Sequence, residues 1–230
     1  MEKYIQETKS TVSKVWSFLV FFSNKRTRLA GQSPDGRERA LLDYVLQHAE
    51  KGNAESVLSA IDDYTEHTWM MNIGKEKGSI LGTAVQKFEP LVAIELGTYC
   101  GYSAIIIASK MTRPNSKLVS VEMNPFNCEV ARSIIDHAGL SSKVEVLEGT
   151  LSDVCDELGE FLDEMGVPYF DFIFLDHFKH CYLPDFLMLK DRGMIGKGTG
   201  IVADSMGFPG ASDYLKYIRE QGEEIETEEH

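Results

Sequence analysis

The sequence predicts an α/β fold, a Rossmann-like doubly wound and mostly parallel sheet with helices on both faces. From residue 91 onwards, continuous apolar runs of four to six residues alternate with helical stretches, and such runs are typical of strands buried on both faces. Strands that alternate with helices form βαβ units, which build a parallel sheet. The length of 230 residues suits one such domain.

Three helices are predicted before the sheet. Asn53 is a candidate N-cap for the second helix, and the third, from Gly78 to Phe88, is interrupted by Gly82. The apolar residues that share one face are Leu41, Leu42, Val45 and Leu46 in the first helix, and Val57, Leu58, Ile61 and Tyr64 in the second.

Five apolar runs are the predicted strands, and a helix follows most of them. Asn124 and Pro125 indicate the N-cap and first turn of one such helix, and Gly139 indicates its end. The runs are Leu91–Leu96, Leu118–Val121, Val144–Leu147, Phe170–Leu175 and Gly200–Ala203.

Residues 1–36 are predicted to be a helical appendage, and residues 37–230 the main domain. Within the appendage, Val15–Phe22 is apolar and basic residues follow it up to Arg28, but eight residues fall far short of the ~20 that span a bilayer. This segment either packs as a helix on the domain or attaches residues 15–28 to an anionic membrane surface. The tail from Glu220 is acidic and expected to be solvated.

The amino-acid composition limits the classes of partner that the protein can have. The net charge of −13 argues against a nucleic-acid-binding protein, because phosphate contacts require clustered Lys and Arg. The four cysteines match no zinc module, which favours reduced thiols in a cytoplasmic protein. A monomer with a small-molecule substrate is expected, with peripheral membrane attachment as the alternative to a freely diffusing protein.

Residues at the ends of the first three strands describe a nucleoside site, because ligands bind outside the carboxyl ends of the strands in such sheets. Gly97 and Gly101 permit a tight turn, but the central glycine of the GxGxxG pattern is absent. Glu122 ends the second strand and can accept both hydroxyls of a ribose, although a carboxylate at a helix N-terminus is the alternative. With the polar loop from Gly149 to Asp153, this pattern fits S-adenosylmethionine better than NAD.

The last two strands end in residues suited to chemistry. Asp176 and Asp204 are expected to face one crevice, where two carboxylates repel each other unless a cation such as Mg²⁺ lies between them. Lys179 is a candidate base. His177 and His180 raise a rival hypothesis, a transition-metal pair, but His177 is better placed to contact the cofactor.

Longer motifs over about residues 37 to 220 resemble the catechol O-methyltransferase family, whose members are class I, S-adenosylmethionine-dependent and Mg²⁺-dependent enzymes. The matching segments are Trp69-Met70-Met71-Asn72-Ile73-Gly74, Leu96-Gly97-Thr98-Tyr99-Cys100-Gly101-Tyr102-Ser103-Ala104, Glu122-Met123-Asn124-Pro125, Phe174-Leu175-Asp176-His177-Phe178-Lys179 and Pro209-Gly210.

The resemblance implies a role for each matching position. The expected cofactor neighbours are Ile73, Gly97, Tyr99, Ser103, Glu122, Met123, Gly149, Ser152, Asp176 and His177. The expected metal ligands are Asp176, Asp204 and Ser205, and the expected substrate contacts are Trp69, Met71, Phe178, Lys179 and Pro209. Lys179 would remove the proton of the catechol hydroxyl, and the oxygen would then attack the sulfonium methyl group.

The chain departs from the family at three places. Ser205 stands where the family has asparagine, and Phe178 replaces a tryptophan but keeps an aromatic face. The chain stops at His230, whereas the family continues with two more strands and a glutamate that contacts the second catechol hydroxyl, so the last strands are expected to be missing. These departures motivate an alternative hypothesis. The chain would then be a shortened, catalytically weak or inactive form that acts as a cofactor-binding or regulatory protein. An NAD-dependent oxidoreductase is the third hypothesis.

Overall fold

The structure is a computed structural model that describes residues 35–204 and 211–221. Several predictions therefore lie outside the described residues. They concern the appendage up to residue 34, the possible membrane attachment at residues 15–28, the metal ligand Ser205, the substrate contact Pro209 and the tail beyond residue 221.

A five-stranded sheet forms the centre of the described structure. Its strands are β1 (Val92–Leu96), β2 (Lys117–Glu122), β3 (Val144–Glu148), β4 (Phe170–Leu175) and β5 (Ile195–Ala203). They follow the order β3-β2-β1-β4-β5, and every pair is parallel. This confirms the predicted Rossmann-like α/β fold and each of the five apolar runs.

The last strand begins earlier than its apolar run indicates. The pattern predicts a start at Gly200, but β5 begins at Ile195 and passes a register irregularity opposite Phe170–Phe172. The added segment is rich in glycine and contains an exposed lysine, so apolar periodicity misses it. The Thr199 hydroxyl donates to the Phe170 carbonyl at 2.8 Å and helps to attach this irregular part to β4.

Eight helices surround the sheet in the described residues. They are α1 (Arg37–His48), α2 (Ala54–His67), α3 (Gly74–Phe88), α4 (Tyr102–Lys110), α5 (Pro125–His137), α6 (Leu151–Met165), α7 (Tyr182–Asp191) and α8 (Ser212–Glu220). The Asn53 and Asn124 side chains accept from the backbone N–H groups of Ser56 and Phe126, at 3.1 and 2.9 Å, which confirms both predicted N-caps. Leu46 is predicted to share the apolar face of α1, but this residue is 48% exposed and lies outside the buried face.

Two hydrophobic cores lie on opposite faces of the sheet. Strand β4 contributes to both, because alternate side chains point to opposite faces. Phe172 and Phe174 join the core formed with α1 to α5, whereas Ile173 and Leu175 join the core formed with α6 to α8. Helices thus cover both faces, as predicted. The four cysteines are free. Among the helices described, none has the length and apolar character that crossing a membrane requires.

Candidate active site

The carboxyl ends of four strands are hydrogen-bonded to one another along one edge of the sheet. The Gly97 amide donates to the Val121 carbonyl at 2.9 Å, which joins the ends of β1 and β2. The Asp176 amide donates to Leu96 at 2.9 Å, and the Asp204 amide donates to Leu175 at 3.0 Å. The positions predicted from strand ends therefore lie side by side: Gly97, Glu122, Asp176 and Asp204.

The turn after β1 is built by close backbone contacts. Gly97 has φ +100°, and a Cβ atom there would lie 2.4 Å from the carbonyl oxygen of Asp176. Tyr99 adopts φ +50°, an uncommon conformation for a residue with a side chain. Its buried hydroxyl donates to Glu38 Oε1 at 2.8 Å. The neighbouring β4 end and the Tyr99 anchor on α1 together fix the turn.

The Glu122 carboxylate is held by backbone amides. Its Oε2 atom accepts from the Tyr99 N–H at 2.8 Å, and its Oε1 atom accepts from the Asn124 N–H at 2.9 Å. Burial raises the pKa of Glu122, whereas these backbone N–H groups lower it. The Asn124 contact agrees with the alternative role at the start of α5. The Thr98 backbone and the Asn127 side chain also lower the pKa of Glu122 through hydrogen bonds, so a ribose hydroxyl would share the carboxylate with these donors.

The other residues predicted to bind the cofactor follow strands or begin helices. Ser103 is buried in the first turn of α4, and Ile73 immediately precedes α3. Met123 is exposed just after β2, and Gly149 follows β3 with φ +147°. Ser152 is exposed in the first turn of α6. These roles stay predictions, although each position near a strand end agrees with them.

Lys179 lies among groups from the ends of β4 and β5. Its Nζ atom donates to Asp176 Oδ1 at 3.3 Å, to the Tyr182 hydroxyl at 2.5 Å and to the Asp204 carbonyl oxygen at 3.2 Å. Burial raises the pKa of Asp176 to about 7, the charge of Lys179 lowers it, and the charge of Asp204 raises it. The predicted base and both predicted metal-binding carboxylates are thus close together.

Two residues of this cluster were not predicted from the sequence. Lys77, on α3, forms an ion pair with Asp204 Oδ1 at 2.7 Å. Tyr182 is fully buried, and its hydroxyl donates to the Leu175 carbonyl at 2.8 Å while it accepts from Lys179. The spacing of Lys179 and Tyr182, three residues apart, was an available signal for the second of these contacts. The Lys77 contact had no local signal.

His177 has one engaged and one unpartnered ring nitrogen. Its Nε2 atom is 2.9 Å from Asp185 Oδ2, and its ring stacks on Tyr182 with centroids 4.9 Å apart. The Nδ1 atom is buried and has no hydrogen-bond partner within residues 35–204 and 211–221. The His180 ring lies against Phe178, with centroids 5.6 Å apart, so the rival pairing of His177 with His180 on a metal finds no support.

Metal binding was predicted from Asp176, Asp204 and Ser205. Over residues 35–204 and 211–221, no group of three or more His, Cys, Asp or Glu side chains converges to hold a metal. The described part of the site therefore offers two carboxylates, and Ser205 lies outside it.

The structure describes all of the residues predicted to contact the substrate except Pro209. Trp69 and Met71 lie in the segment between α2 and α3, and Phe178 lies between β4 and the short 3-10 helix Lys179–Cys181. The Trp69 carbonyl accepts from Arg37 Nη1 at 2.7 Å, and this guanidinium group lies 5.9 Å from the centre of the indole ring. Because α3 reaches Asp204 through Lys77, the segment before α3 enters the same region of the molecule.

Comparisons with known proteins show the family to which the chain belongs. A family model described as O-methyltransferase matches residues 50–208. Catechol O-methyltransferase B of Danio rerio is 42% identical over 184 residues, which are 80% of this chain and 68% of that protein. Catechol O-methyltransferase of Bos taurus is 40% identical over 195 residues, which are 84% of this chain and 69% of that protein.

Among solved structures, an O-methyltransferase from Bacillus cereus in complex with SAH has the same fold. Its TM-score is 0.58 at 22% identity, with 79% of each chain covered. The family match covers most of the chain. The two alignments also cover more than two thirds of the length of each relative. The chain therefore belongs to the O-methyltransferase family and is a methyltransferase enzyme.

Proposed function

We propose that the protein transfers a methyl group from S-adenosylmethionine to a hydroxyl group of a catechol in a Mg²⁺-dependent reaction. The observation that carries this proposal is the convergence of Asp176, Lys179 and Asp204 at the ends of β4 and β5. Two supporting findings are the identity of 40–42% to proteins named catechol O-methyltransferase and the fold shared with a SAH-bound O-methyltransferase.

The residues present fit a bound S-adenosylmethionine. The Gly97 turn is held against the end of β4 by backbone hydrogen bonds and is therefore preformed. Glu122 places its carboxylate at the end of β2, and the buried Nδ1 atom of His177 has no hydrogen-bond partner among the residues described. Buried polar atoms are rarely left unpaired, so this nitrogen favours a ligand at this point.

The residues also fit a hard divalent cation. Asp176 and Asp204 supply carboxylate oxygens, which are the ligands that Mg²⁺ prefers, and Ser205 would add a hydroxyl. The negative charge of Asp204 disfavours ionisation of Asp176. A cation between the two carboxylates would relieve this repulsion, which supports the predicted magnesium site.

The side chains of this site would have separate roles in methyl transfer. Bound S-adenosylmethionine supplies an electrophilic methyl group, and bound Mg²⁺ favours the ionised form of a coordinating hydroxyl. Lys179 would accept the hydroxyl proton at its Nζ atom as a neutral amine, so its ammonium group would first have to release one proton to solvent. Trp69, Met71, Phe178 and Pro209 would position the flat ring, so orientation and charge would supply most of the rate enhancement.

The first test is methyl transfer from S-adenosylmethionine to a simple catechol, with Mg²⁺ and with a chelator. Turnover that the chelator abolishes is the expected result. A protein that binds S-adenosylmethionine without turnover would instead support a cofactor-binding or regulatory function. The increase in melting temperature with S-adenosylmethionine, compared with NAD, identifies the cofactor, because only a bound ligand shifts the unfolding equilibrium.

Lys179→Ala tests the role of the proposed base. We expect the turnover number to fall by about 10²–10⁴-fold while the dissociation constant for S-adenosylmethionine stays nearly unchanged. Lys179 also contacts Tyr182 and the Asp204 backbone, so the melting temperature of the variant is measured alongside. If turnover and cofactor affinity fell together, Lys179 would be structural.

We also propose that the domain begins near residue 37 and that the protein is a monomer without a nucleic-acid partner. Cytoplasmic location and the alternative of peripheral attachment through residues 15–28 belong to this proposal. Gel filtration tests the oligomeric state. Sedimentation with anionic vesicles, for the full chain and for a chain that starts at residue 35, tests the attachment.

A further inference from the structure

Lys77 reaches the proposed metal site from outside the sheet. It lies in α3, and its Nζ atom is 2.7 Å from Asp204 Oδ1. The Lys77 side chain is 51% exposed, whereas that of Asp204 is 14% exposed. The charge of Lys77 also lowers the pKa of Asp176, so this ammonium group acts on both carboxylates. Lys77 therefore lies where a divalent cation would contact Asp204, and its positive charge acts on the same two carboxylates.

Among the described residues, the cluster contains two carboxylates and two ammonium groups. They belong to Asp176 and Asp204 and to Lys77 and Lys179. A divalent cation would add two more positive charges, and like charges at such distances repel strongly where solvent is partly excluded. At least one of the two ammonium groups is therefore expected to withdraw or to release a proton when the cation binds.

Of the two lysines, Lys77 is the one that can withdraw. Lys179 donates to Asp176, to the Tyr182 hydroxyl and to the Asp204 carbonyl, and its side chain is 29% exposed. Lys77 is more exposed and extends from a helix surface, so its long side chain can turn into solvent. Withdrawal of Lys77 would leave Lys179 and its contacts in place.

We propose that Lys77 is an internal competitor of the divalent cation. Its ammonium group pairs with Asp204 when no metal is bound, and it moves away from this carboxylate when the metal binds. This inference rests on the proposed metal dependence. It predicts that Lys77 weakens metal binding and stabilises the metal-free protein, two effects of opposite direction from one side chain.

The test uses Mn²⁺ as the probe and the full chain as the protein. Manganese affinity is measured by electron paramagnetic resonance for the wild type, Lys77→Met and Lys75→Met. Lys75 is an exposed residue in the same turn of α3, so its replacement removes the same charge away from Asp204. We expect Lys77→Met to bind Mn²⁺ about three- to tenfold more tightly, and Lys75→Met to stay within about twofold of the wild type.

Thermal unfolding gives a second readout that does not depend on activity. In the presence of a chelator, Lys77→Met is expected to melt below the wild type. On addition of Mn²⁺ its melting temperature should rise by more than that of the wild type. If Lys77→Met bound Mn²⁺ with equal or lower affinity, Lys77 would position Asp204 instead, and the competition would be refuted.

A control variant separates this inference from the proposed function. Asp204→Asn should abolish the tight Mn²⁺ binding in both the wild-type and the Lys77→Met backgrounds. If the wild type and Lys77→Met both failed to bind Mn²⁺ through Asp204, the proposed metal site and the competition would fail together. Wild-type binding through Asp204 that Lys77→Met leaves unchanged would refute the competition alone.

Discussion

Replacing Gly97 with alanine would place a methyl group where the ends of β1 and β4 meet. A Cβ atom at this position would lie 2.4 Å from the carbonyl oxygen of Asp176 and 2.8 Å from its carbonyl carbon. The atoms it would meet belong to backbone that is held by the hydrogen bond from the Asp176 amide to Leu96, at 2.9 Å. They cannot rotate away as a flexible side chain would, so the strand ends must separate.

Two costs add up in the Gly97→Ala variant. Gly97 has φ +100°, and a left-handed conformation costs a residue with a side chain about 1–2 kcal/mol. Overpacking in a close-packed region costs a further 1–3 kcal/mol, roughly. We therefore expect the free energy of unfolding to fall by about 2–5 kcal/mol, a large share of the stability of an ordinary domain.

Urea-induced unfolding, followed by circular dichroism, measures this loss. Gly198→Ala is the matched control, because Gly198 has φ +94° but no atom of the described residues lies within 4 Å of its added Cβ. The control should lose only the conformational part, about 1–2 kcal/mol. If the two variants lost equal stability, the close approach of β1 and β4 would contribute nothing, and the reasoning would be wrong.

Three further predictions follow from other parts of the structure. Glu122→Ala should weaken S-adenosylmethionine binding by about 1.5–3 kcal/mol in calorimetry, the scale of hydrogen bonds to a charged group, and an unchanged dissociation constant would remove Glu122 from the site. Burial raises the pKa of Glu95 from 4.5 to about 7, so the folded state holds this proton more tightly and stability should fall as the pH rises through that interval. Glu95→Gln should flatten part of this fall in denaturation curves recorded at each pH, and an unaltered slope would contradict the assignment. Asn53→Ala should cost about 1 kcal/mol of unfolding free energy, since it removes the acceptor of the Ser56 amide, and a loss near zero would show that the cap is dispensable.

Burial on both faces made the strands predictable. A strand between two helical layers needs apolar residues at successive positions, and Phe170–Leu175 shows this composition directly. The early part of β5 has a different origin. Its glycines and Lys197 carry no apolar signal, and its pairing depends on the Thr199 hydroxyl and the backbone of β4. Such contacts exist only after the chain has folded.

Parallel topology likewise made part of the candidate site predictable. Gly97, Asp176 and Asp204 follow strands whose carboxyl ends meet, so their proximity follows from strand order. Lys77 was missed because an exposed lysine in a helix has the same local sequence whether or not a carboxylate faces it. Tyr182 was missed because a buried aromatic residue is ordinarily part of the core.

The buried hydroxyl of Tyr182 orders the side chain of Lys179 at the time of folding. The hydroxyl is held by the Leu175 carbonyl, and it accepts from the Lys179 ammonium group. A free lysine side chain loses up to about 2 kcal/mol of rotamer entropy when it is fixed in one geometry. Here that loss occurs during folding, before any ligand arrives. A relative without this tyrosine would have to order its lysine again in every encounter with substrate, and part of its binding energy would be consumed in doing so.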